Sequence, residues 1–407
     1  MRIANIDVFN LYFSYPNRMG FRYAGGMVTS RVTSIIRVTT QDGLTGIGAA
    51  YSYPDLVRII VERQLKPMLL GCDPLEIEGL WQKMYQLTRW YGRKGVAISA
   101  LGALDIAFWD LRGKAAGKPV YQLLGGSKKA VPAYASGLFW HDDVSLLEKE
   151  TVRHRNRGFR QVKMRLGHSD EYDRAAVAAV RRGLGSGGEM MVDGSHRYTL
   201  AIAERMGRFL ADQRVFWFEE PFPPEDIDSY VSLRPQLNVP LAAGENEFGL
   251  QGFRELLRAG AVDIAQPDAS RAGGISESMR ITRLAADAGV RIAPHTWSDA
   301  VAVMANAHVV AASPNGIAVE VDQTGNPFIE ELLAVPLEIK DGMLLLPDRP
   351  GLGVELNPDT IQRLALPPDR SIPDGNYSDL VFGREYWSVP RPYVSLKAEE
   401  AAESARE

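Results

Sequence analysis

From about residue 131 to residue 321 the chain repeats one pattern: a short apolar run, a polar turn, then a stretch with apolar residues three and four apart. The runs are VPAYAS (131–136), QVKMRL (161–166), EMMVDG (189–194), VFWFEE (215–220), VPLAAGE (239–245), VDIAQPD (262–268), RIAPHT (291–296) and IAVEVD (317–322). Segments such as 173–183, 200–212 and 276–288 between them have helical periodicity. Strands alternating with helices at this rhythm predict βαβ units and a parallel sheet. Eight such units predict an α/β fold: a closed (β/α)8, TIM-type barrel over 128–330.

The N-terminal part is patterned differently. Residues 3–13 alternate, TSRVTSIIRVTT (29–40) is rich in β-branched residues, and Asp42-Gly43 offers a turn into a return strand at 44–49. The intervening stretch 14–28, with Pro16, Asn17, Gly20, Gly25 and Gly26, is expected to be a long flexible loop. Helical text follows over 54–69, 75–91 and 96–116. Residues 1–127 are thus expected to form an α+β capping domain. The segment 331–407 is expected to pack back on it, with two short strands around Asp341-Gly342 and a surface-wrapping or disordered tail beyond Pro367.

The chemistry lies in where charged residues fall within the apolar runs. Lys163 and Arg165 lie on the second run, Asp193 ends the third, and Glu219 and Glu220 end the fourth. Glu245 ends the fifth, Asp268 the sixth and His295 the seventh, while Glu320 lies on the eighth. One βα unit separates each from the next, so all fall near the C-terminal ends of their strands, where barrel active sites sit. Ionisable groups are costly to bury alone, so a run of them in register is not explained by packing. Asp193, Glu219 and Glu245 would repel one another without a cation, and an oxygen-only set suits Mg2+. Each taken singly could instead cap the following helix. Asp268 beside His295 would fix the imidazole tautomer and raise its basicity. Lys163 and Arg165, two apart on a strand, share a face and form either an electrophilic clamp or ion pairs with the barrel's own carboxylates. The remaining histidines read as core or loop residues, with His196 a weaker candidate for the same mouth.

Composition narrows the partners. Of 407 residues, 45% are hydrophobic and 24% charged; 46 Lys+Arg against 50 Asp+Glu leave a net charge of -4. No concentrated basic face is implied, which argues against nucleic acid. No apolar run reaches the roughly 18 residues of a membrane span. A single cysteine, Cys72, fits a reducing compartment, and the start MRIANIDVFNLYF does not read as a signal peptide. A cytoplasmic protein is expected.

The segments ALDIAFWDLRGKAAGKPVYQLLGG (103–126), VKMR (162–165), MVDG (191–194), WFEEP (217–221), GEN (244–246), QPD (266–268), PHTW (294–297) and VEVD (319–322) together resemble the enolase superfamily, mandelate racemase subgroup. The likeness runs from the capping domain to about Pro367. It implies Asp193, Glu219 and Glu245 as Mg2+ ligands, a His295–Asp268 dyad, Glu320 as the eighth-strand acid and Lys163 as the first lysine of a K-x-K motif. Such enzymes abstract a proton next to a carboxylate and stabilise an enediolate. Arg165 stands where racemases carry a second lysine base, and a guanidinium is a poor proton acceptor. A one-base reaction is therefore expected. His295 would take the α-proton, Lys163 and a protonated Glu320 would donate to the developing oxyanion, and a β-hydroxyl would leave. That is dehydration of an acid sugar, an aldonate or aldarate, to a 2-keto-3-deoxy acid.

A sugar-lactone cycloisomerase is the alternative, because VEVDQTGNPF (319–328) and GLGVELN (351–357) are similar to galactarolactone-type enzymes. A racemase or epimerase of a 2-hydroxy acid comes third, and a non-catalytic metabolite-binding barrel is the reading outside enzymes. The resemblance also implies a homo-oligomer. Capping-domain loops would choose the substrate, through Arg22 and Tyr23 and the turn around Tyr51. Trp297 is expected to add an apolar wall and Glu220 to support the ligand Glu219.

Overall fold

The computed structural model describes residues 1–18, 20–24, 26–373, 376–377 and 380–381. The run AEEAAESARE at the end of the tail lies outside the described residues. Strands β1 (Ile3–Ser14), β4 (Ser30–Thr40) and β5 (Thr45–Ala50) form an antiparallel sheet in the order β1-β4-β5. Between β1 and β4 the expected flexible loop instead contains a hairpin, β2 (Phe21–Tyr23) paired with β3 (Gly26–Val28). Three-residue strands are too short for alternation to reveal. This one is held by Phe21, whose ring centroid lies 4.1 Å from that of Phe139.

One face of the sheet is covered by the helix Val96–Ala116, which is apolar almost all round. Such a helix must be buried on every side. It lies between the sheet and the barrel helices Ala269–Ala272 and Gly274–Asp287. Contact is backbone to backbone: a Cβ on Gly102 would stand 2.7 Å from Gly274 N and 2.9 Å from Ala269 O. Before it, helical residues 54–69 widen into one π-turn at Val61–Leu65, just ahead of Pro67. A proline lacks the amide for the usual ladder, and the wider turn accommodates it.

The barrel strands are β6 (Ala130–Ser136), β7 (Gln161–Arg165), β8 (Glu189–Asp193), β9 (Trp217–Glu219), β10 (Leu241–Ala243), β11 (Ile264–Ala265), β12 (Arg291–Ile292) and β13 (Val319–Asp322). They pair in parallel in chain order, β13 returns to β6, and the Ile292–Gly316 bridge closes the ring. Alternate residues fill the bore, including Tyr134, Met191, Trp217, Ala242 and Ile264, and the outer faces pack on the helices. A third apolar cluster joins Leu11, Ile35 and Ile106 to Ile275, Val301 and Val309, so the two units share a core.

The segment after the barrel departs from expectation. The strands Ile339–Lys340 (β14) and Met343–Leu345 (β15) form a hairpin that adds to barrel strand β6, not to the capping sheet. β13 meets β6 only from Ala133 onward, which leaves the edge at Ala130–Pro132 open for β15. The chain then does return to the first unit. Leu366 N–H donates to Asn10 O at 2.8 Å, and Arg58 Nη1 donates to Pro368 O at 2.9 Å. No helix among the described residues is long and apolar enough to cross a membrane.

His308 ties these segments together. Its Nδ1 accepts Tyr121 N–H at 3.1 Å, and its Nε2 donates to Leu352 O at 3.1 Å. The Nδ1 contact requires the neutral ring, and burial draws its pKa down to about 4. A base whose folded pKa lies below its ordinary value stabilises the fold fully above pH 6.5, and that contribution is lost as pH falls toward 4. Over that window the loss is about 3 kcal/mol. Urea titrations at pH 7.5 and pH 5 should show a wild-type advantage over His308→Gln that shrinks with acidification; a constant gap would refute it.

Candidate active site

Asp193 closes β8 and Glu219 closes β9, while Glu245, Asp268 and His295 lie just beyond β10, β11 and β12. Lys163 and Arg165 point inward from β7, and Glu320 from β13. Parallel strands all end on one rim, so one volume receives every one of these side chains.

One carboxylate oxygen from each of Asp193, Glu219 and Glu245 lies within 4.8 Å of the other two. Glu219 is wholly buried. Burial, with Asp193 and Glu245 adding to it, pushes its pKa up to about 8 against the pull of Lys163. Its Oε2 is fixed by Trp217 Nε1–H at 2.9 Å and Gln266 Nε2–H at 2.8 Å. Asp193 Oδ1 accepts Ser195 N–H at 2.7 Å. Glu245 Oε2 is buried with no hydrogen-bond donor. An oxygen-only set with mutual repulsion and an orphaned oxygen fits a hard divalent cation such as Mg2+.

The turn after Asp193 passes through two left-handed residues, Ser195 (φ 50°) and His196 (φ 60°). Non-glycine residues in that region are strained, a feature that clusters at functional sites. The turn aims the His196 ring at the Glu220 carboxylate, whose oxygens also accept Gly244 N–H and Asn246 Nδ2–H. Glu220 thus braces the turns that carry Asp193 and Glu245.

On the opposite side His295 Nδ1 lies 2.9 Å from Asp268 Oδ2, and its Nε2 lies 3.8 Å from Glu245 Oε2. Burial would lower the imidazole pKa, but Glu245 and Asp268 override it and raise it to about 9. Asp268 Oδ1 is held by Ser270 N–H, Ser270 Oγ and Asn306 Nδ2. The ring of Tyr51, from the capping unit, stacks on His295 with centroids 5.7 Å apart.

Lys163 and Arg165 form ion pairs with the barrel's own carboxylates, one of the two expected roles. Lys163 pairs with Glu219 and, at 2.9 Å, with Glu320. Arg165 Nε lies 3.1 Å from Asp193 Oδ2, and Arg165 Nη2 lies 3.4 Å from Ser136 Oγ. Burial opposes both charges, yet the surrounding carboxylates hold both side chains protonated beyond their ordinary range. The guanidinium lies 5.3 Å from the ring centres of both Phe139 and Trp297, and its Nη1 is buried without an acceptor.

Two of the expected site residues are engaged within the protein itself. At Glu320 burial favours the acid form, but Lys163, His295 and Arg165 draw its pKa down to about 2. Its Oε2 accepts Thr296 N–H at 3.0 Å. The Arg22 side chain is partly exposed. It pairs with Asp142 and lines a side cavity of about 810 Å³ with Trp140, His168 and Tyr172. In the adjoining aromatic cluster Phe21 packs against Phe139 and Trp297. Trp297 stands in that cluster with Tyr51 and Phe139.

Sequence reasoning missed Arg31, Phe139 and Asn306. Arg31 is wholly buried, reaches from β4 to Trp297 O, and pairs with Asp322 at 2.8 Å. Its one signal was a charge at the start of an otherwise β-branched run. Phe139 and Asn306 gave none.

The family model for the mandelate racemase / muconate lactonizing enzyme N-terminal domain matches residues 6–125, and the one described as enolase C-terminal domain-like matches 147–360. D-galactarolactone cycloisomerase of Agrobacterium fabrum is 36% identical over 359 residues, 85% of this chain and 95% of that protein. Arabinonate dehydratase of Saccharolobus solfataricus is 38% identical over 321 residues, 78% and 86% of the two chains. The crystal structure of L-talarate dehydratase from Polaromonas sp. JS666, complexed with Mg and L-glucarate, superposes with a TM-score of 0.82 at 30% identity over 90% of this chain and 98% of that one.

The carboxylate cluster predicts that Mg2+ stabilises the protein by linkage, about 2.7 kcal/mol at a hundredfold excess over Kd. Thermal melts should show Tm rising with MgCl2 in the wild type and little or no rise in Glu245→Gln. An equal rise in both would remove Glu245 from the ligand set.

Proposed function

The chain belongs to the mandelate racemase/muconate lactonizing enzyme family of the enolase superfamily, and on that footing we propose that it is a Mg2+-dependent acid-sugar dehydratase. The observation that carries the reading is the asymmetry of the mouth. An imidazole backed by a carboxylate stands on one side, and two cations held firmly protonated stand on the other. Relatives named arabinonate dehydratase, L-talarate/galactarate dehydratase and D-xylonate dehydratase supply the substrate class.

Asp193, Glu219 and Glu245 would hold the Mg2+. When bound, the ion supplies a Lewis acid for the substrate carboxylate, which brings the α-hydrogen within reach of an imidazole. The residues do the rest. Asp268 accepts the Nδ1 proton of His295, which leaves Nε2 to take the α-proton. Lys163 and the unpartnered Nη1 of Arg165 offer donors to the negative charge that develops on the substrate. The aromatic cluster of Tyr51, Phe139 and Trp297 excludes water and strengthens these interactions. Protonated His295 then returns its proton to the departing β-hydroxyl, water leaves, and the enol becomes a 2-keto-3-deoxy acid. A cytoplasmic setting, supported by one cysteine in 407 residues, and a homo-oligomeric assembly belong to the same proposal.

A second reading is favoured by the match to D-galactarolactone cycloisomerase over 95% of its length. There the group expelled would be a ring oxygen, with the same His295 step. A screen of aldonates, aldarates and their lactones for 2-keto products separates the two by which substrate is consumed. His295→Asn should lose on the order of 10²–10⁴-fold in rate. Full activity in that variant would remove the base assignment.

Arg165 in place of a second lysine predicts one-face chemistry. Unreacted substrate recovered from D2O should keep its configuration at the α-carbon. Appearance of the epimer would place a second proton acceptor opposite His295.

A further inference from the structure

Asn306 lies in the middle of the helix Ala300–Ala312 and is wholly buried. Helix interiors seldom hold a buried asparagine, because each of its polar groups needs a partner. Here every partner belongs to the rim of the barrel. Its Nδ2 lies 3.1 Å from Asp268 Oδ1, 3.1 Å from His295 O and 3.0 Å from Thr296 Oγ1. Its Oδ1 accepts Ala269 N–H at 3.0 Å. The neighbouring Thr296 N–H goes on to Glu320 Oε2.

One amide therefore touches the loop after β11, the loop after β12 and, through Thr296, the acid on β13. These short strands give the loops little pairing of their own: β11 and β12 share two residue pairs. We propose that Asn306 is a positioning residue for proton transfer, fixing the Asp268 carboxylate and the His295 backbone relative to each other and to Glu320. The proposal rests on the reading of His295–Asp268 as the base. It adds that the dyad's geometry is set from a helix behind the rim by a side chain that touches no substrate. Angular errors in such a pair reach the chemical step before they reach binding.

Three variants and one control test this on whichever screened acid sugar is turned over. Asn306→Leu keeps the shape and removes all four contacts. Asn306→Asp keeps the acceptor for Ala269 N–H and sets an oxygen against Asp268. Thr296→Val removes only the Oγ1 contact. Should Asn306→Leu fail to fold, the other two carry the test. The expected result is a kcat ~10–100-fold lower in the Asn306 variants, with a smaller loss in Thr296→Val. KM and the Mg2+ Kd by calorimetry should stay within about threefold of wild type, while the primary isotope effect with α-deuterated substrate rises. Wild-type kcat in a folded Asn306 variant, with His295→Asn inactive, would overturn the proposal and leave the base reading standing. A kcat loss that appears only together with weakened Mg2+ binding would also overturn it, since that is a general structural effect. An active His295→Asn would instead remove the reading on which it rests.

Discussion

Concentrated negative charge at one end of the barrel is the constraint on which the rest of the structure depends. Asp193, Glu219, Glu245, Asp268 and Glu320 converge there, and all but Glu245 are almost fully buried. Lys163 and Arg165 supply fixed positive charge against these five carboxylates. Glu220 is set aside, since His196 balances it. The remainder is a net negative charge, which a divalent cation would offset. The raised pKa of Glu219 and the orphaned oxygen of Glu245 are local expressions of that remainder. Isolated buried carboxylates would take up protons instead. Packed this closely, and with fixed cations on one flank only, they make a site whose strongest unmet demand is a hard metal ion.

The fold makes such crowding tolerable. A closed parallel barrel aims its strand ends at one rim, so no long loop has to carry the charges inward. The capping unit then seals the rim with aromatic rings and with Arg31, whose ion pair with Asp322 joins β4 to the last barrel strand. Sealing matters because electrostatic interactions strengthen as water is excluded. The shared apolar cluster of Leu11, Ile35, Ile275 and Val309 keeps the seal in register with the barrel. Gly102 and Gly274 allow the two backbones to approach closely enough for this.

Much of this was legible along the chain, for a physical reason. Strand period and βα spacing fix which end of each strand a residue occupies, so Asp193, Glu219, Glu245, Asp268 and His295 could be assigned to one rim without coordinates. What that logic cannot supply is contact between residues far apart in sequence. The Glu320 carboxylate gives no sign along the chain that Lys163 lies 2.9 Å away. Arg22 gives no sign along the chain of its ion pair with Asp142. The β2–β3 hairpin is shorter than any alternation test, and β14–β15 follow the open edge of β6, which depends on where β13 begins. Asn306 lies in a helix whose pattern is apolar throughout, so its role exists only in three dimensions.

The two flanks of the mouth differ in what they can do with a proton. Lys163 and Arg165 sit among carboxylates that stabilise their charged forms, so neither gives up a proton readily. Arg165 is further held between Phe139 and Trp297, where a flat guanidinium is stabilised by both ring faces. On the other flank Asp268 holds His295 so that Nε2 faces the metal carboxylates, and the same ring can accept a proton and hand it back. On the proposed reading, negative charge generated on a substrate would be stabilised from one side and created or quenched from the other. A carbanion held this way has two exits: return of the proton to the face it left, or expulsion of a group from the adjacent carbon. The first gives no net change, so on the proposed reading product would form by the second, with a hydroxyl or a ring oxygen as the group expelled.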